Sequence, residues 1–216
     1  MAQTLTLACL AAVAGLLLAE RFAWPFVRAV FKLGASSAFV LVALSLGATG
    51  SVYGRWVLAA LVLGWVGDAA LLSRRREAFL AGLGAFLLAH VCFALAFFAG
   101  AFSIGAFVVA LAPALAAGIA IARWLWPHLG AAYKGPVAAY VAAILFMCAA
   151  AAGYGAATGR WQVLLGAVMF AASDVAVARD RFVVRSFGNK AWGLPAYYGA
   201  QLVLAWSVAP AAPGFG

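Results

Sequence analysis

Two aspartates occupy positions that a membrane-spanning helix normally excludes. Asp68 lies in the run LVLGWVGDAALL and Asp174 in GAVMFAASDVAVA, and each run is otherwise uncharged. A carboxylate at the centre of a spanning helix costs about 2.5 to 3.5 kcal/mol, and a buried partner, an ion path or catalysis usually explains it. The sequence therefore predicts a structural or chemical role for both acids.

The chemistry open to these acids depends on what neutralises them. Of the basic residues, only Arg28 and Lys32 come early enough in a span to reach inward, so simple ion pairing does not easily neutralise both carboxylates. Two carboxyl groups in one dry pocket tend to share a proton, which suits one as a general acid and the other as a general base. A structural ion pair or hydrogen bond to a neighbouring helix is the alternative, and the sequence does not say which acid would donate.

A histidine lies deeper in the predicted bundle than the two acids. His90 lies deep in its span, where a histidine is more often a hydrogen-bonded packing residue than a ligand. Asp68, Asp174 and His90 from three helices could assemble a metal site, but their spacing matches no zinc motif such as HExxH. We therefore predict neither a metal nor a cofactor.

The elements that position these residues are membrane spans. Hydrophobic residues make up 69% of the 216 positions and charged residues only 9%, against roughly 25% charged in soluble domains. A span needs about 20 apolar residues, and the chain divides into eight such runs: 3–20, 24–46, 55–73, 77–98, 101–122, 134–154, 160–178 and 191–211. We predict one all-α integral membrane domain over 1–216, a bundle of about eight transmembrane helices.

Turn and interface signals separate the predicted spans. They are Trp24-Pro25, the stretch from Gly47 to Gly54, Trp126-Pro127-His128, Gly135-Pro136 and the stretch from Gly153 to Gly159. The boundary between the fourth and fifth spans, near Gly100, has the weakest signal, because Ser103 is the only polar residue there. The first run lacks a basic leader and is predicted to be a retained span.

Charge predicts the orientation of the bundle. If alternate connections share one side, that side holds all but Arg55 and Arg160 of the 14 lysines and arginines. The positive-inside rule then places both termini on the non-cytoplasmic side. The basic residues are spread over short loops, so the net charge of +9 does not indicate nucleic-acid binding.

The same spacing predicts where the acids lie in the membrane. Asp68 precedes Arg74 by six residues and Asp174 precedes Arg179 by five, which on a helix is roughly 7 to 9 Å. Both acids therefore lie just inside the basic boundary. We predict a multi-pass protein of the bacterial inner membrane whose site faces the cytoplasmic leaflet.

Short polar motifs follow one another along nearly the whole chain. They are Lys32; Gly67-Asp68 with Phe79 and Gly82; His90; Pro136 with Tyr140; Ser173-Asp174 with Ala178 and Phe182; and Tyr197-Tyr198 with Gln201. This order resembles the YhhN-like lysoplasmalogenase family, polytopic membrane proteins of about eight spans. Phe93 is a departure, because it stands where a tyrosine is common.

The resemblance implies a chemistry. Members of this family hydrolyse the vinyl ether bond of lysoplasmalogens, which would release a fatty aldehyde and a glycerophosphoethanolamine or glycerophosphocholine. It implies Asp68, Asp174 and His90 as catalytic residues. It also implies a substrate-binding set: Lys32, Tyr140, Tyr197, Tyr198 and Gln201. The expected partners are the lysophospholipid substrate and membrane lipid, with no nucleic acid and no protein partner.

Two other functions would also suit a small helical membrane protein. A proton-coupled transporter would use the two aspartates as a relay, and it predicts acids near the midplane and broken helices in matching halves. A structural or assembly subunit would leave the paired acids unexplained. The order of the polar motifs favours the hydrolase.

Overall fold

A computed structural model describes residues 1–73 and 75–210, and within them the chain is built of helices. Eight α-helices follow one another: α1 (Ala2–Arg21), α2 (Pro25–Ser45), α3 (Val52–Ala70), α4 (Arg76–Phe98), α5 (Ile104–Leu125), α6 (Ala131–Thr158), α7 (Gln162–Ala178) and α8 (Phe187–Trp206). Short 3₁₀ turns precede α3 and α6, and a π turn, Arg179–Val183, extends α7.

Local sequence explains where several helices begin and end. Ser51, Ser103 and Ser186 cap α3, α5 and α8 by accepting a hydrogen bond from a backbone N–H in the first turn. Pro25 is the first residue of α2. A backbone N–H at this position would have no intrahelical partner, so proline removes no helical hydrogen bond. Gly159 ends α6 with φ +72°, a conformation that disfavours other side chains.

The fold class predicted from sequence is confirmed. Six of the eight helices in the described residues are both long and apolar enough to cross a membrane. The other two, α3 and α8, are long enough but less apolar, and they carry Asp68 and the group Tyr197, Tyr198 and Gln201. The less apolar helices α3 and α8 thus carry four of the predicted site residues, and the other four lie on α2, α4, α6 and α7.

Two predicted boundaries are shifted: α6 begins at Ala131, before Gly135-Pro136, and continues through Gly153 to end at Thr158, at the far end of the stretch from Gly153 to Gly159. Pro136 lies near the start of α6, where losing one N–H interrupts the helix little. Gly153 is not in a turn but at a close contact, since a Cβ there would approach the Phe102 ring to 2.6 Å. The break near Gly100 exists, with α4 ending at Phe98 and α5 starting at Ile104.

The helices pack mainly as consecutive pairs, and α8 closes the bundle. It contacts α1, α2 and α3 as well as α7, so its polar side chains point among several helices. By contrast α5 packs chiefly on α6, with further contacts to the π turn, and most of its surface stays exposed. That the chain forms one domain over 1–216 stays a prediction, because residues 211–216 lie outside the described residues.

Candidate active site

Asp68 lies in the last turn of α3 and is 1% exposed. The Lys32 Nζ approaches its Oδ1 at 2.6 Å, and Ser36 Oγ donates a hydrogen bond to Oδ2 at 2.5 Å. The Tyr198 hydroxyl donates a longer bond to Oδ2, at 3.5 Å. Lys32 and Ser36 reach the carboxylate together because they are four residues apart on one face of α2.

These contacts favour a carboxylate anion at position 68. An ammonium group neutralises one oxygen, and hydroxyl donors occupy the other. A buried ion pair is tolerated when its geometry is good and its remaining lone pairs are bonded. Asp68 meets both conditions, and it also lines the central cavity.

Asp174 has a different environment on α7. The Tyr140 hydroxyl of α6 donates a hydrogen bond to its Oδ1 at 3.0 Å. His90 of α4 places Nε2 at 3.3 Å from the other oxygen, Oδ2. That distance suits an ion pair, but among the described residues neither atom has a well-aligned hydrogen bond. Asp174 therefore has one hydrogen-bonded oxygen, and its other oxygen is buried against His90 without an aligned hydrogen bond among the described residues.

The orientation of His90 follows from its second nitrogen. Nδ1 lies 2.6 Å from the backbone carbonyl oxygen of Phe86, which accepts hydrogen bonds only. The Nδ1 atom must therefore carry a hydrogen, and Nε2 is the nitrogen that faces Asp174. The imidazole is fully buried, with its ring centroid 4.4 Å from that of Phe170. This packing holds the ring in place beside the carboxyl group.

Three aromatic rings connect the two acid clusters. Tyr197 packs against Phe86 and Phe170, with centroid distances of 5.8 and 5.5 Å. Its hydroxyl donates a bond to the Gly64 carbonyl at 3.4 Å. The Asp68 and Asp174 clusters are therefore joined through an apolar aromatic wall.

Gln201 is fully buried on α8, yet neither its amide oxygen nor its amide nitrogen has a hydrogen-bond partner within the described part of the chain. The amide packs closely against Gly64, one turn before Asp68. A Cβ at position 64 would lie only 3.0 Å from the amide nitrogen of Gln201. An unbonded buried amide typically costs about 1–3 kcal/mol. Such a group is suited to binding water or a polar part of a ligand.

A cavity of about 1260 Å³ reaches both acids. Its polar lining includes Lys32, Asp68, Tyr140, Asp174 and Tyr197, whereas His90, Tyr198 and Gln201 lie behind this first layer. One end of the cavity is basic. Arg28, Arg181, Arg185 and Lys190 line this basic end. The cavity thus joins two unlike carboxyl environments to a positively charged mouth.

The pairing of the acids differs from the pattern expected from sequence. Each acid has its own basic partner, so the contacts do not place both carboxyls around one shared proton. The sequence argument weighed only Arg28 and Lys32 as charge partners, and although it grouped His90 with the two acids, it did not assign His90 to Asp174. It also missed Ser36, whose position four residues after Lys32 was the available signal.

Metal-binding geometry is not seen where the structure is described. No three His, Cys, Asp or Glu side chains in those residues are placed to hold one ion. The grouping of both aspartates with His90 around a metal, left open by the sequence, is therefore not formed.

Fold and site together define a polytopic helical membrane protein with a buried acid-base cavity that opens at a basic end. The YhhN family profile matches residues 27–208, and the chain belongs to this family. The resemblance seen in the order of the polar motifs is thereby confirmed.

Relatives with assigned names are similar over much of the chain. Proteins named lysoplasmalogenase from Mycobacterium bovis and Mycobacterium tuberculosis are each 38% identical over 151 residues, which cover 67% of this chain and 55% of theirs. Lysoplasmalogenase TMEM86A of Bos taurus is 32% identical over 162 residues, 70% of this chain and 64% of that protein. The chain thus matches between about half and two thirds of the length of these relatives. No solved structure is significantly similar to it.

Proposed function

We propose that this protein hydrolyses the vinyl ether bond of lysoplasmalogens. The relatives named lysoplasmalogenase support the reaction class. The observation that carries the proposal is the pair of unlike carboxyl environments on one cavity. Asp68 is paired with a lysine, and Asp174 faces a histidine and a tyrosine hydroxyl. The products would be a fatty aldehyde and a glycerophospho-ethanolamine or glycerophosphocholine.

The first step needs a proton on carbon. A proton from the Asp174–His90 pair adds to the β-carbon of the vinyl ether, and the double-bond electrons form the new C–H bond. The α-carbon and the ether oxygen then share a positive charge as an oxocarbenium ion. Asp68, held anionic by Lys32, supplies negative charge to stabilise that cation.

The second step adds water. Water bonds to the α-carbon and loses a proton to a carboxylate, which gives a hemiacetal. The hemiacetal hydroxyl then loses its proton, and the bond between the α-carbon and the glycerol oxygen breaks. The glycerol oxygen takes up a proton as the aldehyde leaves. Tyr140 and Tyr197, which line the cavity, would orient the acids and the substrate.

Aldehyde release tests this reaction directly. Detergent-purified protein is incubated with an alkenyl lysophospholipid, and fatty aldehyde is measured. An acyl lysophospholipid of equal chain length serves as control, and it should release no fatty acid. No aldehyde above the level of an Asp68→Asn variant would refute the hydrolase. Release of acyl chains would indicate an esterase, whereas a coupled proton flux without hydrolysis would favour the transporter.

We also propose the orientation predicted by charge, with the protein in the bacterial inner membrane and its basic end in the cytoplasmic leaflet. Six apolar helices support a multi-pass membrane protein. Asp68 and Asp174 lie near the ends of α3 and α7 that adjoin basic residues. A site at that level would place the vinyl ether close to the interface, where the head of a lipid tail lies.

A reporter fused after Gly216 tests this orientation. An enzyme active only in the cytoplasm is expected to be silent there, because the charge distribution places both termini on the other side. The same reporter inserted next to Arg185, in the connection before α8, should be active and is the matched control. Activity at the C-terminus would reverse the orientation or change the number of spans.

A further inference from the structure

The cavity continues beyond the acids as an apolar groove between α5 and α7. Its α5 wall is formed by small residues of one helical face, Ala110, Ala114 and Ala117, and its α7 wall includes Leu164 and Val168. These residues recur at intervals of three, four or seven, so each set lies along one side of its helix. α6 forms the floor. We call this part of the cavity the α5–α7 groove.

The length of the groove matches a single lipid tail. Leu164 precedes Asp174 by ten residues on α7, which is about 15 Å along a helix. One leaflet is half of a hydrocarbon core about 30 Å thick. A chain that starts at Asp174 and fills one leaflet would therefore reach the level of Leu164.

The two ends of the cavity differ in polarity as the two ends of a lysolipid do. Beside Asp174 the lining includes the cationic Arg181 and Arg185, which can pair with a phosphodiester. Along the groove away from Asp174, the lining of α5 and α7 is apolar. Val168 on that stretch lines the cavity and is 51% exposed, so its side chain leaves room for a ligand.

The attachment of α5 explains why the groove exists. α5 contacts α6 closely at Gly118, where a Cβ would overlap Leu145, and it meets the π turn near its own C-terminus. On the N-terminal side of Gly118, the small side chains Ala110, Ala114 and Ala117 leave space in front of α7. The helix thus forms an outer wall and fills little of the interior.

We propose that the α5–α7 groove holds the hydrocarbon tail of the substrate, with the tail's first carbons at Asp174 and the phosphate at Arg181 and Arg185. This assignment rests on the proposed hydrolase for the identity of the substrate. The groove would then discriminate between substrates by the length of the tail, because a long tail must pass Val168 and a short tail need not. Val168 precedes Asp174 by six residues, about 9 Å along the helix.

Binding of an uncleavable analogue tests the groove independently of the chemistry. Alkyl-ether lysophospholipids lack the vinyl double bond, so they bind without being hydrolysed. Thermal stabilisation of the detergent-purified protein is measured with a long-chain and a short-chain analogue of the same head group. Val168→Trp is compared with Leu165→Trp, since Leu165 is similarly exposed at 56% but does not line the cavity.

The unaltered protein and Leu165→Trp are expected to bind the long-chain analogue more tightly than the short-chain one. Val168→Trp should weaken long-chain binding by about tenfold or more, as overpacking a filled site does, and leave short-chain binding within about threefold. Ala117→Trp, on the opposite wall, should behave in the same way and serves if Val168→Trp does not fold.

Equal chain dependence in Val168→Trp, Ala117→Trp and Leu165→Trp would refute the proposal that the α5–α7 groove holds the tail. Failure of the hydrolase would look different. Selective long-chain binding without aldehyde release from the alkenyl substrate would keep the groove as a lysolipid tail site and refute only the vinyl ether chemistry.

Discussion

Replacing Asp174 by asparagine is expected to lower the rate of aldehyde release by at least about a hundredfold, the lower range for losing a general acid. The amide keeps the shape of the side chain and can still accept the hydrogen bond from Tyr140. It cannot exchange a proton with His90 or deliver one to carbon. Turnover of an alkenyl lysophospholipid at saturating substrate measures the effect.

Glu77→Gln is the matched control, because Glu77 is exposed in the first turn of α4 and does not line the cavity. Its activity should equal that of the unaltered protein. Near-normal aldehyde release by a folded Asp174→Asn would make this aspartate structural and refute the proposed proton donor.

A double variant tests whether the two acids act together. Asp68→Asn should also lower turnover by at least about a hundredfold, since the cation would lose its anionic partner. Residues that act as one catalytic unit give a double variant little worse than either single variant. Multiplicative losses would instead show that the two acid clusters work independently.

Replacing Lys32 by methionine is expected to destabilise the fold by about 3–5 kcal/mol, the range for removing one partner of a buried ion pair. The methionine retains most of the aliphatic length but leaves Asp68 as an uncompensated charge that is 1% exposed. Ser36 and Tyr198 can donate hydrogen bonds to that carboxylate but cannot neutralise it. Unfolding in detergent measures the loss.

Lys190→Met is the control for this effect. Lys190 pairs with Asp180 at 3.3 Å, but its side chain is 36% exposed, so solvent screens the interaction. Its loss should cost about 1 kcal/mol or less. Adding Asp68→Asn to Lys32→Met should recover much of the stability, because the buried charge is then gone. Equal effects of Lys32→Met and Lys190→Met would contradict a coupled pair at Asp68.

The fold could be predicted largely from the sequence, because the hydrocarbon core of a bilayer strongly restricts the backbone structure of an apolar segment. Backbone groups in a bilayer must bond within their own segment, so an apolar run of about 20 residues is a helix whatever its neighbours are. Asp68 and Asp174 were recognisable for the same reason, since charge in such a run is costly. Local signals failed where packing decides, as at Gly153, which looks like a turn residue but allows Phe102 to approach α6.

The partners of the acids were decided only by the tertiary structure. Periodicity places Asp68 and Asp174 at a depth along α3 and α7, but it does not say which helix lies opposite each one. The bundle sets Lys32 of α2 against Asp68 and His90 of α4 against Asp174. Coulomb energy and hydrogen bonding act over a few ångströms, so the chemical difference between the two carboxyls arises from helix packing that the linear order does not encode locally.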